Sequence, residues 1–305
     1  MYDLNKFKGV FPAFYTAYDD QGNVSEERSR KLVEYLYAKG VRGLYITGSS
    51  GECIYLSVEE RKKIMKSVMD VAKQKNMCVI VHVGASSTRD SKELATYANE
   101  VGADAIASIP PIYFSLPEEA IVSYWESMIE ASKLPFIIYN IPQTTGTNVS
   151  AALFSRMLEN PFMIGIKNTS LPVMDIAKFK SLSKGRCVIF NGPDEQYAAG
   201  RLMGADGGIG GTYGVMPELF LKIEELIQSE KFSLASELQQ VTTELILEIL
   251  AAGGMFGVCK YILKLRKMDI GTPRAPLPQL SDDDKQKVVV LEKKITDTIE
   301  AWKNK

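Results

Sequence analysis

The sequence of 305 residues predicts a (β/α)8 barrel with a C-terminal helical appendage. Three observations carry that prediction. Short, β-rich apolar runs alternate with longer amphipathic stretches, the pattern of βα units feeding a parallel sheet. Eight such runs occur, the number that closes a barrel. An open doubly wound sheet usually has fewer strands and a glycine-rich first turn, and no such turn follows the first run.

Taken in order, strands are expected over 10–16 (VFPAFYT), 43–47 (GLYIT), 78–83 (CVIVHV), 105–108 (AIAS), 136–140 (FIIYN), 163–167 (MIGIK), 187–191 (CVIFN) and 207–210 (GGIG). Helical spacing fills the gaps at 25–39, 57–74, 91–101, 117–133, 150–159, 173–182 and 194–203. Ser57 before Val58, Glu59 and Glu60 is a typical start, a hydroxyl cap followed by acids in the first turn. Beyond the eighth strand the pattern turns wholly helical, over 217–228, 232–250, 255–266 and 281–303, with a proline-rich break at 272–278. Residues 1–228 thus read as the catalytic barrel, and 229–305 as a helical region suited to be an assembly surface.

Composition excludes several functions. Hydrophobic residues make up 46% and charged residues 24%, as in soluble globular proteins. A formal net charge of -1 without a basic run argues against nucleic acid or an anionic membrane as partner. The four cysteines are widely spaced, with no CxxC pair for zinc or a disulfide framework. No apolar run follows the N-terminal charges, and none is long enough to span a bilayer. The expectation is a reduced, cytoplasmic, soluble protein.

In barrel enzymes the chemistry sits where strands end. The sixth run ends in Lys167-Asn168-Thr169-Ser170, and Lys167 is the only lysine that directly finishes a predicted strand. In an apolar barrel mouth, desolvation would favour its neutral amine, the form that attacks a carbonyl. The plain alternative is a solvated strand-end lysine. Its companions weigh against that. Tyr139 ends the neighbouring fifth run, where a phenol can relay protons; alone, it could equally be a packed tyrosine. Ser49 and Ser50 stand between two glycines at a strand-to-helix turn and offer donors to a carboxylate; alone, they read more simply as a plain Gly/Ser turn. Asp194 and Glu195 follow the seventh strand; they would repel phosphate and accept hydrogen bonds from hydroxyls, or simply complement a helix dipole. Gly210 and Gly211 lie in GGIGGTYG at 207–214, which permits close backbone approach to a ligand, or simply tight packing at the barrel top, and does not match GxGxxG. The single histidine, His82, lies mid-strand and reads as a satisfied core residue, not a metal ligand.

These motifs together resemble the family that includes dihydrodipicolinate synthase and N-acetylneuraminate lyase. The matching pieces are GSSGE at 48–52, IPPIYF at 109–114, YNIP at 139–142, GIKNTS at 165–170 and GPDE at 192–195, in the family's order. The resemblance implies that Lys167 forms a Schiff base with a 2-keto acid, so that no metal or other cofactor is needed. It implies that Tyr139 relays protons and that Ser49 and Ser50 bind the carboxylate. Tyr113 matches a tyrosine that reaches a neighbouring subunit's site, in homotetramers built as dimers of dimers. Dihydrodipicolinate synthases carry an arginine where this chain has Thr144. Sialic acid lyases match more closely, which implies contacts to an opened sugar from Thr169, Gly192, Asp194, Glu195 and Gly210. Their usual serine and aromatic are here Gly211 and Pro193, with Thr212 a candidate to restore the hydroxyl. The expected activity is cleavage of N-acetylneuraminate to pyruvate and N-acetylmannosamine. The alternatives are another pyruvate-dependent aldolase, acting on 2-keto-3-deoxy sugar acids or resembling dihydrodipicolinate synthase, and a non-catalytic keto-acid-binding barrel.

Overall fold

Short runs dominated by apolar residues and bounded by turn signals fit strands buried on both faces, and the structure makes them so. The computed structural model describes residues 2–305. Its strands are β1 Gly9–Pro12, β2 Gly43–Ile46, β3 Cys78–His82, β4 Ala105–Ser108, β5 Phe136–Asn140, β6 Met163–Asn168, β7 Val188–Asn191 and β8 Gly207–Gly210. All pair in parallel, in the order β1-β8-β7-β6-β5-β4-β3-β2. A bridge between Ala13 and Tyr45, with the Phe14 N–H donating to the Tyr45 carbonyl at 2.8 Å, closes β1 onto β2.

Helices α1 Glu26–Ala38, α2 Val58–Ala72, α3 Thr88–Glu100, α4 Glu118–Ser132, α5 Ala151–Met157, α6 Met174–Ser183, α7 Tyr197–Leu202 and α8 Pro217–Gln228 follow the strands in turn. Three more, α9 Phe232–Ala251, α10 Met255–Leu265 and α11 Asp282–Trp302, form the C-terminal region. Ser57 caps α2 through a reciprocal box: its hydroxyl accepts the Glu60 N–H at 3.2 Å and the Glu60 carboxylate accepts the Ser57 N–H at 2.9 Å. Among the described residues no single helix is long and apolar enough to cross a membrane.

Two apolar clusters result. One fills the barrel lumen with Phe11, Tyr45, Ile80, Ile137, Tyr139 and Phe190. The other lies between strands and helices and runs on into the C-terminal region through Leu238, Ile262, Val288 and Trp302.

Most ends fall within two residues of the sequence reading, and four departures have a visible cause. β1 ends at Pro12 instead of 16, because the chain swings out to bridge β2 and the Thr16 hydroxyl donates to the Gly51 carbonyl. β6 runs on through Asn168, which pairs with Asn140 on one side and Asn191 on the other. The helix expected from 91 starts at Thr88, where the Ser87 side chain caps it. The helix expected from 194 starts at Tyr197, after a 3-10 turn over Asp194–Gln196 that aims Asp194 at Thr212.

Candidate active site

Adjacent parallel strands put residues of equal register side by side, and β5 pairs Tyr139 with Lys167 of β6. Lys167 is only 5% exposed, with Nζ 3.9 Å from the centroid of the Tyr139 ring. The Tyr139 hydroxyl lies 3.5 Å from Ser49 Oγ, which connects β5, the strand beside the lysine's, to the turn after β2. There Ser49 is exposed and Ser50 buried. Lysine, phenol and hydroxyl thus converge as the sequence suggested.

A polar network behind the strand ends holds them. The Asn140 amide donates to Asn168 Oδ1 at 2.8 Å, the Asn168 amide to Ser170 Oγ at 2.8 Å, and that hydroxyl to Asp175 at 2.7 Å. Each buried amide is satisfied, as buried polar groups must be if they are not to cost stability.

The ends of β7 and β8 form the opposite wall. Asp194 is buried, and its Oδ2 accepts both the N–H and the hydroxyl of Thr212, at 2.7 and 2.6 Å. Burial pushes its carboxyl up to about 6, against the pull of those two hydrogen bonds. The Thr212 hydroxyl thus gives its one proton to Asp194 and keeps only its lone pairs for another partner. Glu195 is exposed on the same turn. Close approach explains two glycines here. A Cβ on Gly192 would lie 2.0 Å from Thr169 Oγ1, and one on Gly210 would lie 2.3 Å from Asp194 Oδ1. The Thr169 hydroxyl is buried and has no protein partner among the described residues. At Gly211 a Cβ would meet the sulfur of Met255 at 2.5 Å and Ser50 Oγ at 3.2 Å, so a C-terminal helix takes the space a side chain would use.

Tyr113 is not brought to Lys167. It stands 91% exposed on the loop after β4, in a left-handed conformation (φ 82°), its ring edge-to-face with Phe114 at 4.8 Å. His82 is a satisfied core residue. Its Nδ1 lies 3.0 Å from the Thr47 carbonyl, and its Nε2 accepts the Ile109 N–H at 3.3 Å. Burial, then the charge of Arg61, push it well below the usual imidazole range, so it stays neutral.

Sequence reasoning missed three supports. Glu52, fully buried in the turn after Ser49 and Ser50, is ion-paired with buried Lys260 of α10 at 2.5 Å. It also accepts the Tyr18 hydroxyl at 3.1 Å and the Arg274 N–H at 2.8 Å. Gln239 of α9 donates to the Asp194 carbonyl at 3.2 Å and accepts the Ala198 N–H at 2.8 Å. Buried Arg61 donates to the carbonyls of Gly84 and His82, at 2.8 and 2.5 Å. The one available signal was a charged residue inside an otherwise apolar periodicity, as at Lys260 in MFGVCKYILKL.

A model of the dihydrodipicolinate synthetase family matches residues 6–295. The chain belongs to this family. Within the family, the N-acetylneuraminate lyase of Mediterraneibacter gnavus is 50% identical over 287 residues, covering 93% of this chain and 91% of its own length. A solved Ruminococcus gnavus sialic acid aldolase, a catalytic lysine mutant, matches with a TM-score of 0.97 at 47% identity, over 99% of this chain and 100% of its own. An N-acetylneuraminate lyase structure from Fusobacterium nucleatum matches with a TM-score of 0.89 at 30% identity, over 95% and 99% of the two chains.

Proposed function

We propose that this chain is a class I, Schiff-base aldolase that cleaves N-acetylneuraminate to pyruvate and N-acetylmannosamine. The observation that carries the reading is the buried Lys167 nitrogen against the Tyr139 ring, in register on adjacent strands. That it lies in a chain half identical to a named lyase supports the substrate.

The neutral Lys167 amine adds to the C2 ketone of the open-chain keto acid to give a carbinolamine. Loss of water leaves a protonated imine. The C4 hydroxyl then gives up its proton, the C3–C4 pair moves into the imine as an enamine, and the aldehyde departs. Protonation at C3 and hydrolysis release pyruvate and restore the amine. Tyr139, with Ser49 3.5 Å away, relays the protons. Ser49 and Ser50 bind the substrate carboxylate. Asp194 keeps Oδ1 for a sugar hydroxyl while Thr212 occupies Oδ2. Glu195, Thr169 and the backbone at Gly192, Gly210 and Gly211 complete the sugar contacts. The imine supplies the electron sink, so the chemistry proposed calls for neither metal nor cofactor.

The catalytic unit is 1–228. Region 229–305 buttresses it, a role supported by Gln239 on Asp194 and Lys260 on Glu52. Exposed Tyr113 and Phe114 support a homotetramer, a dimer of dimers in which Tyr113 completes a neighbour's site. We place the protein in the cytoplasm; its four unpaired cysteines fit a reducing compartment. A sugar acid other than N-acetylneuraminate is the second reading, favoured by Gly211 and by a Thr212 hydroxyl already engaged.

Borohydride reduction with pyruvate should leave a three-carbon adduct on Lys167; no adduct, or one elsewhere, defeats the mechanism. A coupled pyruvate-release assay over N-acetylneuraminate and several 2-keto-3-deoxy sugar acids decides the substrate.

A further inference from the structure

Tyr45 has no part in the reaction just described, yet it shares the lumen with the reactive lysine. It sits on β2, four strands from β6 in the sheet order, so its side chain meets Lys167 across the barrel and not as a neighbour. Lys167 Nζ lies 4.8 Å from the Tyr45 ring centroid and 3.9 Å from that of Tyr139. The two rings are 5.8 Å apart at 82°, an edge-to-face pair that leaves the nitrogen between two π systems. The Tyr45 side chain is fully buried, and its hydroxyl finds no hydrogen-bond partner among the described residues. What Tyr45 offers the nitrogen is its ring.

Resting on the Schiff-base reading of Lys167, we propose that Tyr45 is a positioning residue whose ring forms, with that of Tyr139, a two-walled cage favouring the cationic forms of the Lys167 nitrogen. Those forms are the ammonium before reaction and the protonated imine during it. The face of an aromatic ring attracts a cation, and the attraction grows when water is excluded, as it is around a nitrogen on a residue 5% exposed. The protonated imine is the species that must persist, because its positive nitrogen takes up the electron pair of the breaking C3–C4 bond. Hydrogen-bond acceptors would also stabilise that charge, but they would compete for its proton. Ring faces stabilise it without doing so. The other groups facing this space are Asp194 beyond β7, His82 on β3 and Cys53 after β2, with Arg61 of α2 behind His82. They set a background field that the variants below leave in place.

The experiment grades the ring's electrostatics at constant shape. Phenylalanine and its mono-, di- and trifluorinated analogues are incorporated at position 45, and kcat/KM is followed against pH. Fluorination drains the ring face while keeping its bulk, so the fold is retained. Tyr45→Phe should leave the limb that reports lysine deprotonation in place. Each added fluorine should move that limb to lower pH, to a total of about one pH unit, the size of one desolvated cation–π contact. The fraction of Lys167 trapped by borohydride at fixed subsaturating pyruvate, at a pH above that limb where the resting amine is neutral, should fall in the same order. A limb that stays fixed across the series, or one that moves fully with Tyr45→Phe, overturns the cage. Wild-type protein is trapped in parallel. Failure there sinks the Schiff-base reading itself, whereas normal trapping with an immobile limb sinks only the role of Tyr45.

Discussion

Replacing Lys260 by methionine removes the cation that faces Glu52 while keeping an unbranched side chain only one atom shorter. The two charges lie 2.5 Å apart, with side chains 2% and 0% exposed. At an effective dielectric of about 20 the attraction is about 7 kcal/mol, and the cost of drawing both ions from water offsets much of it. Taking away one partner forfeits the attraction but leaves the other charge buried, which in general costs about 3–5 kcal/mol. Glu52 would keep the Tyr18 hydroxyl and the Arg274 N–H, so the loss should fall at the low end, about 3 kcal/mol. Unfolding entropy of about 2.1 cal/mol/K per residue gives roughly 0.6 kcal/mol per degree for a chain of 305 residues. The midpoint should therefore fall by about 5 °C. Thermal unfolding by circular dichroism at fixed protein concentration measures it. Glu52→Gln added to Lys260→Met should recover part of the loss by removing the stranded charge. A fall under about 1 °C, or a double variant less stable than Lys260→Met alone, would refute this account of the pair.

Three further outcomes are expected. Tyr139→Phe should lower kcat by a factor of about 10² to 10⁴ while pyruvate still becomes trapped on Lys167, as loss of a proton relay requires; quenched-flow kinetics with borohydride separate the two steps. Asp194 has its carboxyl raised from 3.8 to about 6, so the stability its protonated form contributes is complete below about pH 4 and lost as pH rises through about 6. Asp194→Asn should flatten that part of the stability profile, by up to about 3 kcal/mol in urea titrations from pH 4 to 8, and should raise KM for the sugar without preventing imine formation. Gly192→Ala would place a methyl 2.0 Å from Thr169 Oγ1; kcat/KM should drop at least about tenfold and stability by about 1–3 kcal/mol, measured by steady-state kinetics and thermal unfolding.

What was legible in the sequence was whatever depends on near neighbours along the chain or in the sheet. Uniformly apolar runs marked the strands, and the polar residues ending them marked Lys167, Tyr139 and Asp194. Consecutive strands being neighbours was enough to pair Tyr139 with Lys167. Contacts between distant segments were not legible. Glu52 meets Lys260 and Arg274 across more than two hundred residues, and nothing in GSSGE distinguishes a buried ion pair from a solvated glutamate. Tyr45 inside GLYIT reads as one more lumen residue, because its relation to Lys167 is set by the barrel's diameter. Strand and helix ends shifted where a side chain overrode local preference, as Asp194 did by turning to Thr212.

The register that sets Tyr139 beside Lys167 has a consequence for how such an enzyme can change. The spacing of the reacting groups is dictated by the hydrogen-bonded pitch between two inner strands, which no loop can alter. On the proposed reading, the groups that would greet the departing aldehyde stand on the turns after β7 and β8, where Met255 fills the space beside Gly211. Bond-breaking and acceptor choice are thus built into separable parts of the chain. Laboratory selection for new aldehydes should concentrate its diversity at 192–195, 210–212 and 255, leaving the strands untouched, and should yield altered product spectra at nearly constant rates of imine formation.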